Sequence, residues 1–291
     1  MDLLSLGILQ TVAMEEGITR AADVLGRAPS NVTTRIQQLE AEIGVPLFHR
    51  DKKRMTLTSE GETFLDYARR ILDLAEEAQQ VVNPAGPMGK LRVGSMESTV
   101  ATRLPSVLAK FNAEWPDVTI DLSTGPTRQL LEALQAHRVD CALVAIPDSK
   151  CLQDADQIDM VKVFREELVL LLPPRHPEIR SRDEIRPRAL AAFALGCTYR
   201  QLAEDWLSEN GLKAPRMQTH EVRSYHAMIA CATAGSNVAI LPRSVLDLFS
   251  GADSFTCVPI TSVDTYLACR RGFATPAFTE FGYALNASSN V

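Results

Sequence analysis

The stretch from residue 18 to residue 40, ITRAADVLGRAPSNVTTRIQQLE, constrains the fold more than any other part of the chain. Its first half places Ala21, Ala22 and Leu25 on one face of a short helix, and GRAP at 26–29 breaks that helix. Pro29 suits the first turn of a second helix, because its missing N–H would be unbonded there in any case. The apolar residues of the second helix repeat at helical spacing: Val32, Ile36, Leu39 and Ile43.

The opposite face of the second helix carries short hydrogen-bonding side chains, one cation and no acid: Asn31, Thr33, Thr34, Arg35, Gln37 and Gln38. Asn and Gln pair with adenine in the DNA major groove and Arg pairs with guanine, so this face has the chemistry that reads base edges. Any amphipathic helix has a polar face, and that plainer interpretation stays open on this stretch alone. We favour a helix-turn-helix.

Composition limits the other possibilities. A chain of 291 residues predicts about two or three domains. The net charge is −6, and residues 1–60 hold seven Lys and Arg against eight Asp and Glu. DNA contact must therefore depend on where the cations lie, because there is no overall basic field.

Enzyme, metal and membrane signatures are missing from the sequence. There is no G-x-G-x-x-G, P-loop, H-E-x-x-H or G-x-S-x-G motif, so we predict no enzyme and no cofactor. Neither the six cysteines nor the five histidines have metal-ligand spacing. Residues 1–17 do not resemble a signal peptide, and no apolar run is long enough to span a membrane, so we expect a cytoplasmic protein.

Basic residues cluster at 49–54, and Met55 to Thr58 alternate like a strand. Together these segments predict a β-hairpin wing whose cations lie along DNA phosphates: Arg50, Lys52, Lys53 and Arg54. A solvated loop is the alternative, because charge runs are usually solvated.

A long helix is predicted to follow, opened by a capping box with Ser59 at the cap and Glu62 three residues on. Its apolar seam has a period of 3.5 residues: Phe64, Tyr67, Ile71, Leu74, Ala78 and Val81. The seam can dock on its own domain or pair with a second copy. We favour a dimer, which also suits helix-turn-helix proteins that read two half-sites.

Strands and helices alternate from residue 91 onward, after a Pro- and Gly-rich hinge. This order predicts a mainly parallel sheet in an α/β domain of two Rossmann-like subdomains with a cleft between them. Within it we expect one helix from Ser98 to Glu114 and strands at 168–172 and 265–269. The predicted domains are a mainly α winged helix-turn-helix at 1–58, a linker helix at 59–83, a hinge at 84–90 and an effector domain at 91–291. Subdomain 1 takes about 91–163 and 265–291, and subdomain 2 about 164–264.

The N-terminal pattern resembles the DNA-binding signature of LysR-type transcriptional regulators. It includes Ala21-Ala22, Leu25, Val32, Ile36, Leu39-Glu40, Gly44, Leu47-Phe48, Arg50, Leu57-Thr58 and Gly61. The effector domain is similar to that family's at Leu104-Pro105, Phe111, Pro116, Gly125 and Asp140. The resemblance implies a periplasmic-binding-protein-like effector domain, promoter DNA and a small-molecule effector as partners, and a homotetramer built from dimers. RNA polymerase is a candidate further partner.

One departure concerns the start of the recognition helix. Many family members have Ser-Gln-Pro where this chain has Ala28-Pro29-Ser30, so the usual Gln contact does not carry over to Pro29. The base-reading role passes to Ser30, Asn31, Thr33, Thr34 and Arg35, with Gln38 beside them. Segments 29–35, 197–200 and 224–226 are also similar to a subgroup that includes a putrescine-utilisation regulator.

Ligands of open α/β sheets bind at the carboxyl ends of strands. The polar residues at such ends are the effector-site candidates: Glu97, Ser98, Thr99, Thr124, Thr127, Arg128, Asp148, Tyr199, Tyr225 and His226, with Ile146 beside them. Ser and Thr are also ordinary helix caps, so simple capping is the alternative.

The charge of the effector stays open at this point. Helix N-termini and Arg128 favour a carboxylate, whereas Glu97, Asp148 and Glu221 suit an amine that the rings of Tyr199 and Tyr225 would also attract. We favour an amine-bearing or amino-acid-like metabolite. A cytosolic small-molecule-binding or redox-sensing protein acting through Cys197 is the alternative to a regulator.

Overall fold

A computed structural model describes residues 1–51, 54–83, 86–147, 157–208 and 217–288. The chain divides into two compact units, Met1–Pro84 and Ala85–Val291. Pro84 and Ala85, where the predicted hinge begins, lie outside the described residues.

The first unit is a winged helix-turn-helix followed by a long helix. Its elements are α1 (Leu3–Glu15), α2 (Ile18–Leu25), α3 (Pro29–Ile43), β1 (Phe48–Asp51), β2 (Arg54–Leu57) and α4 (Ser59–Val81). Gly26 ends α2 in the left-handed conformation, with φ of 61°, and Pro29 opens α3 as predicted. Strands β1 and β2 pair antiparallel and form the predicted wing. One apolar core unites the helices with the base of the wing.

The start of α4 differs from the predicted capping box. The cap is Thr58, whose Oγ1 accepts a hydrogen bond from the Gly61 N–H at 2.9 Å and donates one to the Pro46 carbonyl at 2.9 Å. Ser59 is already helical, and its hydroxyl binds the neighbouring carboxylate of Glu60. The prediction was one residue late because Thr58 is held by the Pro46 carbonyl, a tertiary contact that the local pattern does not contain.

The second unit is an α/β domain built on one eight-stranded sheet in the order β4-β3-β5-β10-β6-β9-β7-β8. Its strands are β3 (Gly89–Ser95), β4 (Val118–Thr124), β5 (Cys141–Ile146), β6 (Ile158–Leu172), β7 (Ala189–Ala192), β8 (Gln218–Glu221), β9 (Asn237–Pro242) and β10 (Thr256–Arg270). Its helices are α5 (Glu97–Thr102), α6 (Leu104–Glu114), α7 (Thr127–Gln135), α8 (Thr198–Ser208), α9 (Tyr225–Thr233), α10 (Arg243–Leu246) and α11 (Pro276–Ser288), with short 3-10 turns at Arg182–Glu184 and Ala252–Ser254.

This domain has two lobes, one built around β3, β4 and β5 and the other around β7, β8 and β9. Two long strands, β6 and β10, connect the lobes. Strand β10 pairs antiparallel with both β5 and β6, and β6 pairs antiparallel with β9. The pairs β3–β4, β3–β5, β7–β8 and β7–β9 are parallel. The sheet is therefore mixed, with a parallel region in each lobe and antiparallel strands at the centre. This arrangement confirms the predicted two-subdomain α/β class and corrects the prediction of a mainly parallel sheet.

The single helix predicted from Ser98 to Glu114 is two helices in the structure. Helix α5 ends at Thr102, Arg103 intervenes, and α6 starts at Leu104 with Pro105 in its first turn. Proline cannot continue a helix because it lacks the N–H and its ring crowds the preceding turn. The break matters for the candidate site because Arg103 lies between the two helices, where its side chain reaches Glu166 on β6.

Candidate nucleic-acid interface and effector cleft

Helix α3 presents the polar face that the sequence predicts. Val32, Ile36 and Leu39 are buried in the core of the first unit. The other face is open to solvent: Ser30, Asn31, Thr34 and Gln38 are exposed, and Thr33 and Arg35 are half-exposed. The hydroxyls of Thr33 and Thr34 donate to backbone carbonyls one turn earlier, at 2.9 Å, which leaves their oxygens as acceptors.

Arg35 is tied to another helix. Its Nη1 lies 3.2 Å from Oδ2 of Asp2, and Asp2 caps α1 through the Ser5 N–H at 2.7 Å. Hydrogen bonding to Ser5, followed by the charge of Arg35, lowers the pKa of the Asp2 carboxyl. The cation is thus partly neutralised, which makes Asn31 and Gln38 the freer candidates for base contacts.

The wing is anchored on the turn before α2. Met55 N–H donates to the Glu16 carbonyl at 3.1 Å, and the exposed guanidinium of Arg54 lies 3.7 Å from the Glu16 carboxylate. Arg50 lies on β1, and the predicted contacts Lys52 and Lys53 lie outside the described residues. Arg27, which the sequence analysis did not single out, is an exposed cation in the turn before α3, two residues before Pro29.

The apolar seam predicted on α4 is largely exposed to solvent in the single chain. Tyr67, Ile71, Leu74 and Val81 are exposed, Leu74 by 66%, and Ala78 is exposed as well, while Phe64 is half-buried. The opposite face, with Leu65 and Ala68, packs into the core of the first unit. At its start α4 borders an apolar groove of about 460 Å³, lined by Ile43, Val45, Leu47, Ser59, Glu60, Thr63, Phe64 and Tyr67.

In the second unit, two predicted residues of α5 are buried where the lobes meet. Ser98 and Thr99 are each 2% exposed, and the Ser98 hydroxyl lies beside the phenols of Tyr199 and Tyr225. Thr127, at the start of α7, is also buried and donates to the Met96 sulfur at 3.7 Å. Ile146 is buried at the end of β5, Thr124 is exposed at the end of β4, and Asp148 lies outside the described residues.

The facing lobe contributes the first turns of α8 and α9. Tyr199 is 3% exposed, and its hydroxyl lies beside the hydroxyls of Ser98 and Thr265. Tyr225 is buried edge-on against the Phe193 ring at a centroid distance of 4.9 Å. His226 is exposed, and its ring contacts Phe249 instead of turning inward. Burial raises the pKa of both tyrosines, so both phenols stay neutral near pH 7.

Two hydrogen bonds to backbone carbonyls join the lobes beside these residues. Thr198 Oγ1 donates to the Ala145 carbonyl at 2.9 Å, and the Arg128 N–H donates to the Gly196 carbonyl at 3.3 Å. The Arg128 side chain is exposed at this junction. The predicted residues of α5, α7, α8 and α9 are therefore brought together, at the carboxyl ends of the parallel strands in both lobes.

Glu97 is the first residue of α5, and its carboxyl meets the start of α9. Burial raises the pKa of its half-buried carboxyl, while the backbone N–H of Tyr225 and the charge of His226 act in the opposite direction. The carboxylate therefore already has a partner across the cleft at the start of α9.

Sequence reasoning missed two residues of this region, because they come from the long central strands. Thr265 on β10 is fully buried, and its hydroxyl lies beside the Tyr199 phenol. Glu166 on β6 is buried and accepts hydrogen bonds from Arg103 at 2.8 Å and from Ser244 at 2.7 Å. Both residues have polar neighbours in the sequence, so no local pattern marked either of them.

Burial raises the pKa of the Cys197 thiol. The backbone N–H groups of Arg200 and Tyr199 and the charge of Arg200 offset that effect only in part. Within the described ranges, no group of three His, Cys, Asp or Glu side chains is placed to hold a metal ion. No helix in those ranges is both long and apolar enough to cross a membrane.

Comparison with known proteins gives a consistent result. The family described as "Bacterial regulatory helix-turn-helix protein, lysR family" matches residues 3–62, and "LysR substrate binding domain" matches residues 84–288. The chain is 36% identical over 247 residues to the HTH-type transcriptional regulator GltR of Bacillus subtilis, covering 84% of this chain and 81% of that protein. It is 37% identical over 250 residues to YofA of Bacillus velezensis, covering 86% and 83%.

Solved structures share the fold along the whole chain. A variant of full-length OxyR from Pseudomonas aeruginosa matches with a TM-score of 0.75 at 20% identity, covering 100% of this chain and 95% of that one. CbnR in complex with its target DNA matches with a TM-score of 0.68 at 22% identity, covering 99% and 100%.

A winged helix-turn-helix followed by a two-lobed α/β domain defines a ligand-responsive, DNA-binding transcriptional regulator. The matches to both domains specify the group within that class. The chain belongs to the LysR family of transcriptional regulators, a family of regulators and not of enzymes.

Proposed function

We propose that this regulator reads its operator with the exposed face of α3 and follows the phosphates with its wing, in the cytoplasm where its DNA is. The observation that carries the proposal is the row of exposed, uncharged hydrogen-bonding groups on α3, from Ser30 and Asn31 to Gln38, over a fully buried apolar face. Thr33 and Thr34 lie in the same row, and Arg35 adds one half-exposed cation beside it. Arg54, together with Arg50, Lys52 and Lys53 of the wing, supplies the phosphate contacts.

Operator selection from random duplex DNA, followed by titration at several salt concentrations, tests this assignment. Asn31→Ala should weaken binding to the selected operator about tenfold to a hundredfold, the cost of one lost bidentate base contact, and leave non-specific binding unchanged. Arg54→Ala should weaken both kinds of binding and reduce the salt slope by about one phosphate contact.

Glu132→Ala, an exposed substitution on α7 in the other unit, is the control and should change neither operator affinity nor salt slope. Equal losses on operator and non-specific DNA for Asn31→Ala would contradict the base-reading role.

The same geometry favours a dimer through α4. Tyr67, Ile71 and Leu74 form an exposed apolar row that continues into the groove beside Phe64, and an apolar row of this size is stabilised by a second copy of the helix. Pairing of such dimers through the effector domains would give the homotetramer that the family resemblance implies.

We further propose that a small metabolite, amine-bearing or amino-acid-like, binds between the lobes of the effector domain. The candidate contacts come from both lobes: Glu97, Ser98, Thr99, Thr127, Arg128, Tyr199, Tyr225 and His226, with Ile146 at the end of β5. Thr124 and Asp148 belong to the same strand-end set. The Ser98 and Tyr199 hydroxyls support this site, because they come from different lobes and lie beside each other at the junction.

A further inference from the structure

The carboxylate of Glu40 connects helix α3 to the start of the wing. Its Oε1 accepts hydrogen bonds from the backbone N–H groups of Leu47, at 2.9 Å, and Phe48, at 3.2 Å. Phe48 is the first residue of β1, and all three residues are buried. Buried N–H groups need hydrogen-bond partners, and here one side chain of α3 serves both of them.

Glu40 also ends the helix to which it belongs. Its backbone carbonyl accepts a hydrogen bond from the Gly44 N–H at 2.8 Å, and Gly44 leaves the helix in the left-handed conformation with φ of 86°. One residue therefore holds both ends of the turn at 44–48, the start through its carbonyl and the end through its carboxylate. These contacts set the direction in which β1 leaves α3.

The wing depends on such contacts because it is small. Strands β1 and β2 have four residues each and form a two-stranded sheet, and a ribbon of this kind has little stability of its own in water. Thr58 holds the base of the wing to α4, since its N–H donates to the Leu47 carbonyl at 3.0 Å. Met55 holds the wing to the turn before α2, and Glu40 holds it to α3.

The orientation of the wing relative to α3 matters for DNA binding. Bases are read in the groove by α3, whereas Arg54 on the wing is proposed to reach the phosphates beside that groove. A duplex presents its groove and its phosphates at a fixed separation, so both sets of contacts form together only when the wing holds one orientation. A wing that turned away from α3 would lose the phosphates while α3 could still read bases.

We propose that Glu40 is a positioning residue for DNA binding: its carboxylate oxygen holds the wing in the orientation in which the wing and α3 contact the duplex together. The assignment rests on the DNA contacts proposed above. Asn31 and Arg54 touch the duplex in that scheme, and Glu40 acts through the backbone of the wing. What the role requires is an acceptor oxygen at this position, and a negative charge alone does not fulfil it.

Two substitutions separate reach from charge. Glu40→Gln keeps the length of the side chain and an oxygen that can accept the same N–H groups, but it lacks the charge. Glu40→Asp keeps the charge, but it is one methylene shorter and does not reach Leu47 and Phe48. Operator affinity is measured on the full chain at several salt concentrations, at a temperature where circular dichroism shows every variant to be folded.

The expected results differ between the two variants. Glu40→Asp should weaken operator binding at least as much as Arg54→Ala does, and it should reduce the salt slope by about one phosphate contact or more. Glu40→Gln should keep the salt slope of the parent protein.

A double-mutant cycle distinguishes positioning from a loss of stability. In the Glu40→Asp background the wing no longer meets the phosphates, so Arg54→Ala should cause little further loss. Asn31→Ala should cost as much in that background as in the parent, because α3 packs through its own apolar face. A unit that was merely destabilised would show the parent's salt slope and the full effect of Arg54→Ala in its folded fraction.

Glu42→Asp and Glu42→Gln are the matched controls. Glu42 is exposed on the same helix, and its pair with the Met1 amino group lies at the surface. Both controls should keep the parent's salt slope and the full effect of Arg54→Ala.

Three results would overturn the positioning role. They are an unchanged salt slope for Glu40→Asp, a full effect of Arg54→Ala in that background, and a loss for Glu40→Gln equal to that for Glu40→Asp. Arg54→Ala in the otherwise unchanged chain tests the wing contacts themselves. An unchanged slope in that variant refutes the phosphate contacts and the positioning role with them, whereas a reduced slope beside an unaffected Glu40→Asp refutes the positioning role alone.

Discussion

The Arg103 guanidinium donates a hydrogen bond to the Glu166 carboxylate at 2.8 Å, and this contact joins the break between α5 and α6 to strand β6. The Glu166 side chain is 4% exposed, so its charge depends on this partner and on Ser244. Arg103 also lies over the Phe164 ring, at 5.7 Å from its centroid. One arginine thus links the first lobe to a strand that runs through both.

We predict that Arg103→Ala destabilises the effector domain by about 3 kcal/mol, the lower end of the range for removing one partner of a buried pair, because Arg103 itself is partly exposed. Chemical denaturation of the full chain measures the loss. Arg271→Ala breaks a surface pair with Asp159 at 4.0 Å and serves as the control, with an expected loss of about 1 kcal/mol or less. Equal losses in the two variants would show that burial of Glu166 is unimportant.

The start of α4 leads to a second prediction. A Cβ at Gly61 would lie 2.0 Å from the Leu47 carbonyl oxygen, which is backbone and has little room to move. Gly61→Ala should therefore destabilise the winged unit by about 3 kcal/mol or more and weaken DNA binding with it. The transition of the winged unit in a calorimetric scan reports this loss.

Gly7 provides the opposite case within the same unit. It lies inside α1, and a Cβ there meets nothing within 4 Å. Gly7→Ala should stabilise the unit by about 0.5 to 1 kcal/mol, because alanine loses less backbone freedom on folding. If the two substitutions had the same sign, the close approach of Gly61 to Leu47 would not be the cause.

The exposed seam of α4 gives a third prediction. Leu74 is 66% exposed and central to the apolar row, so a charge there would be buried without a partner in a dimer. Leu74→Asp should halve the mass of the assembly in sedimentation and should not destabilise the isolated fold. Val24→Asp, on α2 at 62% exposure, is the matched control and should keep the parent mass. An unchanged mass for Leu74→Asp would place the dimer contact elsewhere.

Much of the fold was predictable because a buried helix or strand leaves an apolar trace in the local sequence. The helical spacing of Val32, Ile36 and Leu39 and the continuous apolar run of β5 are examples, and the structure confirms both elements. Strand β8 has no such trace. Its residues 218–221 are half-buried or exposed, and β7 consists of Leu190 and three alanines, which have little strand preference. The polar first half of β6 was overlooked for the same reason.

The candidate effector site was predictable only in part. Ser98 and Tyr199 stand just after strand ends or at helix starts, where a general rule for α/β sheets directs attention. Thr265 and Glu166 reach the same region because β10 inserts between β5 and β6. That pairing joins residues far apart in the chain, so no local pattern contains it.

Glu97 gives the last prediction, on the pH dependence of stability. Burial raises the pKa of its carboxyl above the ordinary value of 4.5. The folded protein therefore binds this proton more tightly than the unfolded chain does. The stabilisation is fully present below pH 4.5 and is lost as the pH rises through the folded-state pKa, so ionised Glu97 opposes folding at neutral pH.

Glu97→Gln, which cannot ionise, should for that reason be more stable than the parent at pH 7, and this advantage should disappear as the pH falls below 4.5. Denaturant unfolding of the full chain at a series of pH values measures it. Glu132→Gln, an exposed substitution on α7, changes the net charge equally and controls for that change. A parent protein more stable than Glu97→Gln at pH 7 would mean that the Tyr225 N–H and His226 outweigh burial, and that the contact across the cleft stabilises the ionised carboxylate.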